Sequence, residues 1–260
     1  MGLTRREFGM LGLAAAAFGQ TADASDMPVI AVASDLSFAI AELQEHFTQK
    51  TGHGLRITLG ATGNFARQIR AGAPYQMFMA ADETFVKDLA ADGLTRDAGT
   101  LYAEGRVSLI APSGSVLKPD GTLNDLRSAL EGGRVTRFAI ANPEHAPYGQ
   151  RAKEALQHAG LWEAIQPHLI LGENVAQAAQ FAMSGNADGG LIAHSLALAP
   201  ELKARGQSDL IAADWHNPLL QRMVLLPSAG PEAEAFYAYV QSSEAKEILA
   251  TYGFSLPQGD

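Results

Sequence analysis

The sequence VIAVASDL, at residues 29–36, joins a short apolar run to the start of a helix. Residues 29–33 are all apolar, which predicts a buried strand. Ser34 and Asp35 follow as a turn, and apolar residues at helical spacing within 36–47 predict one face of an amphipathic helix. A buried strand that passes through a polar turn into a helix is the unit from which α/β sheets are built.

The same unit recurs along the rest of the chain. Further strands are predicted at residues 55–59, 76–79, 106–110, 137–140, 168–171, 190–193, 210–213 and 221–226. Further helices are predicted at residues 83–91, 123–130, 150–158, 175–184, 231–241 and 243–252. This alternation predicts an α/β fold, with sheets covered by helices on both faces.

Two interruptions of this pattern predict the limits of two lobes. Residues 111–114 (APSG) and 217–218 (NP) are turn-forming segments, at which the chain can cross from one lobe to the other. We therefore predict a first lobe that contains residues 25–109 and 220–260, and a second lobe that contains residues 110–219.

Residues 1–24 have the pattern of an export signal. An Arg-Arg pair at residues 5–6 precedes an apolar stretch at residues 10–18, which is too short to span a bilayer comfortably. Residues 22–24 (ADA) fit a signal cleavage site. The paired arginines favour the twin-arginine route, which carries already folded proteins. The alternative interpretation is the basic start of a cytoplasmic helix, but the cleavage site favours a mature protein in the periplasm.

Charge and composition exclude several classes of function. The formal net charge is -9, and the chain has no cysteine. Affinity for nucleic acid comes largely from Lys and Arg on phosphates, so an acidic chain without a basic run is a poor match for it. The absence of cysteine excludes disulfides, thiolate nucleophiles and a lipid-anchored cysteine. An anionic ligand would have to be bound by local geometry, because the overall field opposes it.

Four strand-to-helix turns are candidates for such an anion site. They are the turns at residues 34–35, at residues 60–64, at residues 147–150 and at residues 173–175. Helix N-termini present unpaired N–H groups and the positive end of the helix dipole. Ligands of open α/β sheets lie beyond the carboxyl ends of the strands, where these turns fall. Ordinary helix capping explains any one turn as well or better, so the prediction depends on the four together.

Other kinds of site are not indicated. The histidines show no metal-binding spacing, and the chain has no G-x-S-x-G elbow, Walker loop or G-x-G-x-x-G motif. An enzyme would need a nucleophile, base or metal that converges on a cleft. Ser34, Asp35 and His145 are the residues it could use, but their spacing does not indicate a reaction. We expect no catalytic residue, no resident metal and no cofactor.

Several segments, in order, resemble molybdate-binding periplasmic proteins. They are VASDL at 32–36, GNFARQI at 63–69, GAPYQMF at 72–78 with AD at 81–82, NPEHAPYG at 142–149, AKEAL at 152–156, FY at 236–237 and YGF at 252–254. The resemblance implies a type II periplasmic binding fold, in which two α/β lobes are joined by crossing strands and the ligand lies in the cleft. It also implies that molybdate or tungstate is passed to the membrane permease and ATPase of an ABC importer. We expect the protein to be a monomer.

Carried over by position, the resemblance places ligand contacts at five residues. They are Ser34 and Asp35 in the first turn, Thr62 in the second, Tyr148 in the third and Val175 in the fourth. Much of the recognition in this family uses main-chain N–H groups, which is why an apolar residue such as Val175 is among the contacts.

The chain departs from the family pattern at a few positions. Asp35 stands where some members have serine, and Ala193 stands where some have a tyrosine that reaches the anion. Gln76 and Ala80 replace the aspartate and serine that are usual in the third-strand motif. Because a carboxylate repels a dianion, we expect the Asp35 side chain to turn back and cap its own helix.

Ligand identity is open within limits at this stage. Molybdate and tungstate share shape and charge, so the pattern does not separate them. Sulfate is smaller and would leave fixed donors unpaired, which is costly. The alternatives are another small anion, such as phosphate, sulfate or an organic acid, on the same fold, and less favourably an enzyme on a two-lobed scaffold.

Overall fold

The computed structural model describes residues 27–256, so the export signal predicted at residues 1–24 lies outside the described residues. In chain order the strands are β1 Val29–Ala33, β2 Arg56–Gly60, β3 Met77–Ala80, β4 Thr100–Gly105, β5 Val107–Pro112, β6 Phe138–Ala141, β7 Leu169–Gly172, β8 Gly189–Ala193, β9 Gly206–Leu210 and β10 Leu219–Leu225. The helices are α1 Ala39–Thr51, α2 Thr62–Arg70, α3 Glu83–Ala91, α4 Asn124–Glu131, α5 Pro147–His158, α6 Trp162–Ile165, α7 Val175–Met183, α8 His194–Ala197, α9 Pro200–Lys203, α10 Pro231–Val240 and α11 Ser243–Thr251. Short 3₁₀ turns lie at Ser34–Leu36, Gln166–His168 and Ala213–Trp215.

Two five-stranded sheets organise these elements. The first has the strand order β2-β1-β3-β10-β4, and the second has the order β7-β6-β8-β5-β9. In the first sheet β1 is parallel to β2 and β3, while β10 runs antiparallel to β3 and β4. In the second sheet β6 is parallel to β7 and β8, while β5 runs antiparallel to β8 and β9. Both sheets have flanking helices, so the predicted fold class of two α/β lobes is confirmed.

Within residues 27–256 the chain crosses between the two sheets twice. The first crossing is at Arg106, because β4 ends at Gly105 in the first sheet and Val107 already pairs with Ala193 in the second. The second crossing lies between β9 and β10. The lobe boundary predicted at 109/110 therefore falls inside β5, and the boundary predicted at 219/220 falls inside β10.

Two strands differ from the sequence-based prediction. Strand β4 was not predicted, and β9 occupies Gly206–Leu210 rather than residues 210–213. The β9 sequence GQSDL is polar and largely exposed, because β9 is an edge strand that pairs only with β5 among the described strands. Its residues therefore lack the alternation by which strands are recognised in sequence.

The lobes are packed against each other at the helix starts. Ala33, Ala61 and Ala81 follow or end strands of the first sheet, yet they belong to the hydrophobic core of the second lobe. The rest of the first lobe has its own buried clusters on the two faces of its sheet. The structure therefore shows the two lobes in contact, with the predicted turns at their junction.

Among the described residues, no helix has the length and apolar character needed to cross a membrane.

Close packing of α5 on β6 generates a test of the packing within the second lobe. A Cβ at Gly149, in the first turn of α5, would lie 2.2 Å from the main-chain oxygen of Ala141. We expect Gly149→Ala to lower the free energy of unfolding by about 1–3 kcal/mol, the usual cost of overpacking. Urea unfolding measures this, with Gln150→Ala on the next position of the same helix as the control. Equal stabilities of the two variants would contradict the close approach.

Candidate ligand site between the lobes

The five residues predicted as ligand contacts surround one cavity. Ser34, Asp35 and Thr62 line it from the first lobe, and Tyr148 and Val175 line it from the second. The cavity is narrow: the centre of a water-sized sphere can occupy only about 10 Å³ of it, within about 190 Å³ of empty space that includes the open mouth. The remaining lining residues are small or rigid, namely Ala33, Gly60, Ala61, Ala81, Ala146 and Pro147. The structure therefore brings together all five residues, although they are far apart in sequence.

Helix starts converge on this cavity from both lobes. Thr62, Pro147 and Val175 are the first residues of α2, α5 and α7, and Ser34 begins a 3₁₀ turn directly after β1. The N–H groups of a first helical turn have no acceptor within their own helix, and they carry the positive end of the dipole. The cavity walls thus present neutral hydrogen-bond donors, an arrangement suited to an anion. None of the lining residues in the described part of the chain is a lysine, arginine or histidine.

Two buried hydroxyl groups are oriented by main-chain N–H groups. The Ser34 Oγ accepts a hydrogen bond from the Ala176 N–H at 3.3 Å, and the Thr62 Oγ1 accepts one from the Ala81 N–H at 3.0 Å. Because each oxygen is held as an acceptor, its hydroxyl hydrogen remains available as a donor. Ser34 and Thr62 are only 3% and 1% exposed, so these hydrogens can be directed only within the buried site. Both hydroxyls can therefore donate to an anion in the cavity.

Asp35 does not cap its own helix, contrary to the prediction. The 3₁₀ turn Ser34–Leu36 has no side-chain cap, and the Asp35 carboxylate reaches across the junction instead. Its Oδ2 accepts from the Tyr148 hydroxyl at 3.2 Å and from the Gln221 Nε2 at 2.5 Å. Its Oδ1 is buried and has no hydrogen-bond partner within the part of the chain that the structure describes. The Tyr148 and Gln221 donors are themselves buried and need an acceptor, which explains the orientation of the carboxylate.

Burial changes the protonation of this carboxyl group. Asp35 is 1% exposed, and burial raises its pKa from the ordinary 3.8 to about 6. The hydrogen bonds from Gln221 and Tyr148, and the nearby main-chain N–H groups of Asp35 and Leu36, oppose this rise without cancelling it. The pKa values of Tyr102 and Tyr148 are raised well above their usual value, by burial first and by the charge of Asp35 second. Asp35 is thus the group in this cluster that changes charge near neutral pH.

Gln221 and Tyr102 belong to the site but were not predicted. The Tyr102 hydroxyl donates to the Gln221 Oε1 at 2.8 Å, and the Gln221 amide in turn donates to Asp35. Gln221 lies on the crossing strand β10, at a fully buried position that shares its sheet face with Leu219 and Met223. An uncharged polar residue at a core-facing position of a strand is a signal that could have identified it.

The Tyr148 side chain makes its hydrogen bond within the protein and not to the cavity. Its hydroxyl hydrogen is donated to Asp35, so the group that remains for a ligand is its main-chain N–H in the first turn of α5. A Cβ at Gly105 would lie 2.2 Å from the Tyr148 hydroxyl oxygen, so the glycine makes room for this ring. Ala193, which replaces a family tyrosine, is fully buried at the end of β8 and does not line the cavity.

Further contacts join the lobes around the cavity. The Arg151 guanidinium of α5 forms an ion pair with Asp82 of the first lobe at 2.6 Å, and both side chains are largely buried. The Gly63 N–H donates to the His145 main-chain oxygen at 2.9 Å, and a Cβ at Gly63 would lie 2.6 Å from that oxygen. The Ser195 hydroxyl donates to the Asp35 main-chain oxygen at 2.7 Å. The structure thus holds the lobes together by polar contacts on several sides of the cavity.

His145 and His194 both have structural contacts. The His145 Nε2 lies 2.9 Å from the main-chain oxygen of Glu173, and the Glu173 carboxylate accepts a hydrogen bond from Asn64 across the lobes. The His194 Nδ1 lies 2.8 Å from the Ser108 Oγ within the second lobe. Neither histidine lines the cavity, so neither is placed to contact a ligand there.

Comparison with known proteins agrees with this geometry. Residues 28–255 match the family described as bacterial extracellular solute-binding protein. The chain belongs to this family. Molybdate-binding protein ModA of Rhodobacter capsulatus is 32% identical over 229 residues, which cover 87% of this chain and 87% of that protein. ModA of Azotobacter vinelandii is 32% identical over 250 residues, which cover 95% of this chain and 96% of that protein.

A solved structure within the same group of relatives has the same fold. The periplasmic molybdate-binding protein of Azotobacter vinelandii superposes with a TM-score of 0.80 and 29% sequence identity, covering 89% of this chain and 100% of that one. These relatives are all named as molybdate-binding proteins. The resemblance noted from the sequence segments is therefore confirmed over nearly the whole described chain.

The burial of Asp35 predicts how stability depends on pH. Its folded pKa of about 6 lies above the ordinary 3.8, so its favourable contribution is complete only below about pH 3.8 and is lost as the pH rises through about 6. About two pKa units at about 1.4 kcal/mol each correspond to roughly 3 kcal/mol. We expect Asp35→Asn to raise the free energy of unfolding by up to this amount at about pH 8, and by little at about pH 4.

Urea unfolding of the ligand-free protein at these two pH values measures the effect. Asp92→Asn is the matched control, because Asp92 is half-exposed and pairs with Arg70 at the surface. Its effect should stay within about 1 kcal/mol at both pH values. A stability difference between wild type and Asp35→Asn that does not grow with pH would contradict the assignment.

Proposed function

We propose that the protein binds molybdate or tungstate in the cavity between the lobes, as the periplasmic binding component of an ABC importer. The observation that carries the proposal is the convergence of helix starts and two donating hydroxyls on one buried cavity. The names of the relatives support the choice of ligand, since two of them, each 32% identical, are molybdate-binding proteins. The metal of this anion is cargo, and it needs no side-chain ligand.

The proposed contacts are neutral donors from both lobes. The Ser34 and Thr62 hydroxyls donate through their free hydrogens, and the main-chain N–H groups of Tyr148 and Val175 donate from the first turns of their helices. A hydrogen bond to a charged group contributes about 1.5–3 kcal/mol. Asp35 lies beside the anion, with its Oδ2 occupied by Tyr148 and Gln221.

Size decides between the candidate anions, which are all tetrahedral oxyanions. Donors that project from rigid helix starts cannot follow a smaller anion, so sulfate would leave some of them unpaired and buried. Phosphate is the serious competitor, because it carries a proton near neutral pH and Asp35 can accept it. An enzyme is disfavoured, because the residues that line the cavity include no nucleophile held by a base.

The two-lobed fold supports delivery to a transporter. Ligand contacts divided between two lobes allow the lobes to close around the anion, as in other hinged binding proteins. The closed protein would then be recognised by a membrane permease with its ATPase. We propose that the protein acts as a monomer and that residues 1–24 direct it to the twin-arginine export route.

Calorimetric titration with a panel of oxyanions tests the proposed function. We expect the protein without residues 1–24 to bind molybdate and tungstate much more tightly than sulfate or phosphate, because only the larger anions satisfy all donors. Thermal melting with the same anions is an independent measurement, since a ligand bound only by the native state raises the melting temperature. Binding of phosphate with no response to molybdate would contradict the proposal.

The Thr62 hydroxyl gives a residue-level test. We expect Thr62→Ala to weaken molybdate binding about tenfold or more, because a charge-assisted hydrogen bond is lost. Thr62→Ser keeps the hydroxyl and should retain most of the affinity. Titration of both variants, beside the distant control Thr51→Ala, measures the effect. If Thr62→Ala is less stable but binds as tightly as the wild type, Thr62 serves only to hold the Ala81 N–H.

A further inference from the structure

One carboxylate oxygen of Asp35 receives no hydrogen bond from the described residues. Asp35 lines the cavity, is almost fully buried and, among residues 27–256, leaves its Oδ1 without a hydrogen-bond partner. Its other oxygen, Oδ2, already accepts from Tyr148 and Gln221. Buried polar atoms are nearly always hydrogen-bonded, so an unpaired one at a binding site calls for a partner. An oxyanion without a proton cannot be this partner, because it too offers only acceptors.

The groups around Asp35 do not neutralise its charge. The titratable side chains that face it are Tyr148 from α5 and, beyond the Gln221 amide of β10, Tyr102 from β4. Both tyrosines are held in the neutral form by burial. From α8, Ser195 donates only to the Asp35 main-chain oxygen.

The other neighbours of Asp35 bring no positive charge either. The starts of α2 and α7 contribute Thr62 and Val175, which are both uncharged, and no cationic side chain is among the residues lining the cavity. An ionised Asp35 would therefore meet a bound dianion without compensation, in a site with little water to screen the repulsion.

We propose that the site takes up one proton together with the oxyanion and holds it between Asp35 Oδ1 and an anion oxygen. This inference rests on the proposed function of the cavity. The proton balance is simple, and no other bond changes. Molybdate or tungstate enters as the dianion, and the proton comes from solvent onto Oδ1. A hydrogen phosphate ion would instead bring its own proton to the ionised carboxylate. A proton on Oδ1 leaves both hydrogen bonds to Oδ2 intact.

Proton uptake makes the affinity depend on pH. The free protein has an Asp35 pKa of about 6, and a bound dianion raises this pKa further. Below about pH 6 the carboxyl group is already protonated, so the molybdate dissociation constant should be nearly flat. Above about pH 6 each binding event must protonate Asp35, so the dissociation constant should rise about tenfold per pH unit.

Calorimetry in buffers of different ionisation enthalpy counts this proton directly. At about pH 7.5 we expect wild type to take up close to one proton per molybdate bound, and Asp35→Asn to take up none. The amide of the variant can donate an N–H to the anion in place of the carboxyl proton. The variant should therefore bind molybdate with little pH dependence and, at about pH 8, at least about tenfold more tightly than wild type.

The outcomes separate this inference from the proposed function. Asp92→Asn, at a surface carboxylate, should keep the proton uptake of the wild type. Molybdate binding by the wild type without proton uptake, and with the same affinity from about pH 6 to about pH 8, overturns the inference but leaves the function intact. If neither wild type nor Asp35→Asn binds molybdate at any pH, the proposed function itself fails. Should Asp35→Asn not fold, the proton count of the wild type decides alone.

Discussion

The buried carboxylate of Asp35 is the point at which the two lobes and the crossing strand β10 meet. It follows β1 in the first lobe, accepts a hydrogen bond from Tyr148 of the second lobe and accepts another from Gln221 of the crossing strand β10. Three parts of the chain that come from distant sequence positions therefore meet at one side chain. A buried carboxylate costs free energy unless it is hydrogen-bonded or protonated. This constraint explains both the cross-lobe hydrogen bonds and the raised pKa of Asp35.

An acidic protein can provide a site for an anion only through hydrogen-bond donors close to the ligand. The chain has a formal net charge of -9, so long-range attraction does not bring an anion to the cavity. Binding must come from short-range donors that are oriented before the ligand arrives. The helix starts at Thr62, Pro147 and Val175 provide such donors without any positive side chain. Small residues such as Ala33, Ala61 and Ala81 let these helix starts approach one another closely.

Much of this architecture could be predicted from the sequence, because the signals were local. The apolar strand before Ser34, the turn at Thr62 and the helix over residues 83–91 each depend on neighbouring residues, and the structure has them as predicted. Resemblance to a known family then selected Tyr148 and Val175, and both line the cavity with the other three residues. Their assignment as ligand contacts stays a prediction.

The features that could not be predicted depend on contacts between distant residues. Strand β4 becomes recognisable only through its pairing with β10, and the polar edge strand β9 only through its pairing with β5. The orientation of Asp35 was predicted wrongly, because helix capping is a local rule and the competing donors lie on Tyr148 and Gln221. The capping rule fails here because the carboxylate instead accepts hydrogen bonds from buried donors elsewhere in the fold, which would otherwise be left unpaired.

The most direct test of this account is a crystal structure of the protein without residues 1–24 grown with tungstate, with the tungsten located by its anomalous scattering. The account predicts a single strong tungsten peak in the cavity between the lobes. Its oxygens should lie within hydrogen-bonding distance of the Ser34 and Thr62 hydroxyls and of the Val175 N–H, and one of them should face Asp35 Oδ1. A tungsten peak at any other place on the protein, with the cavity filled by water, would contradict the central claim.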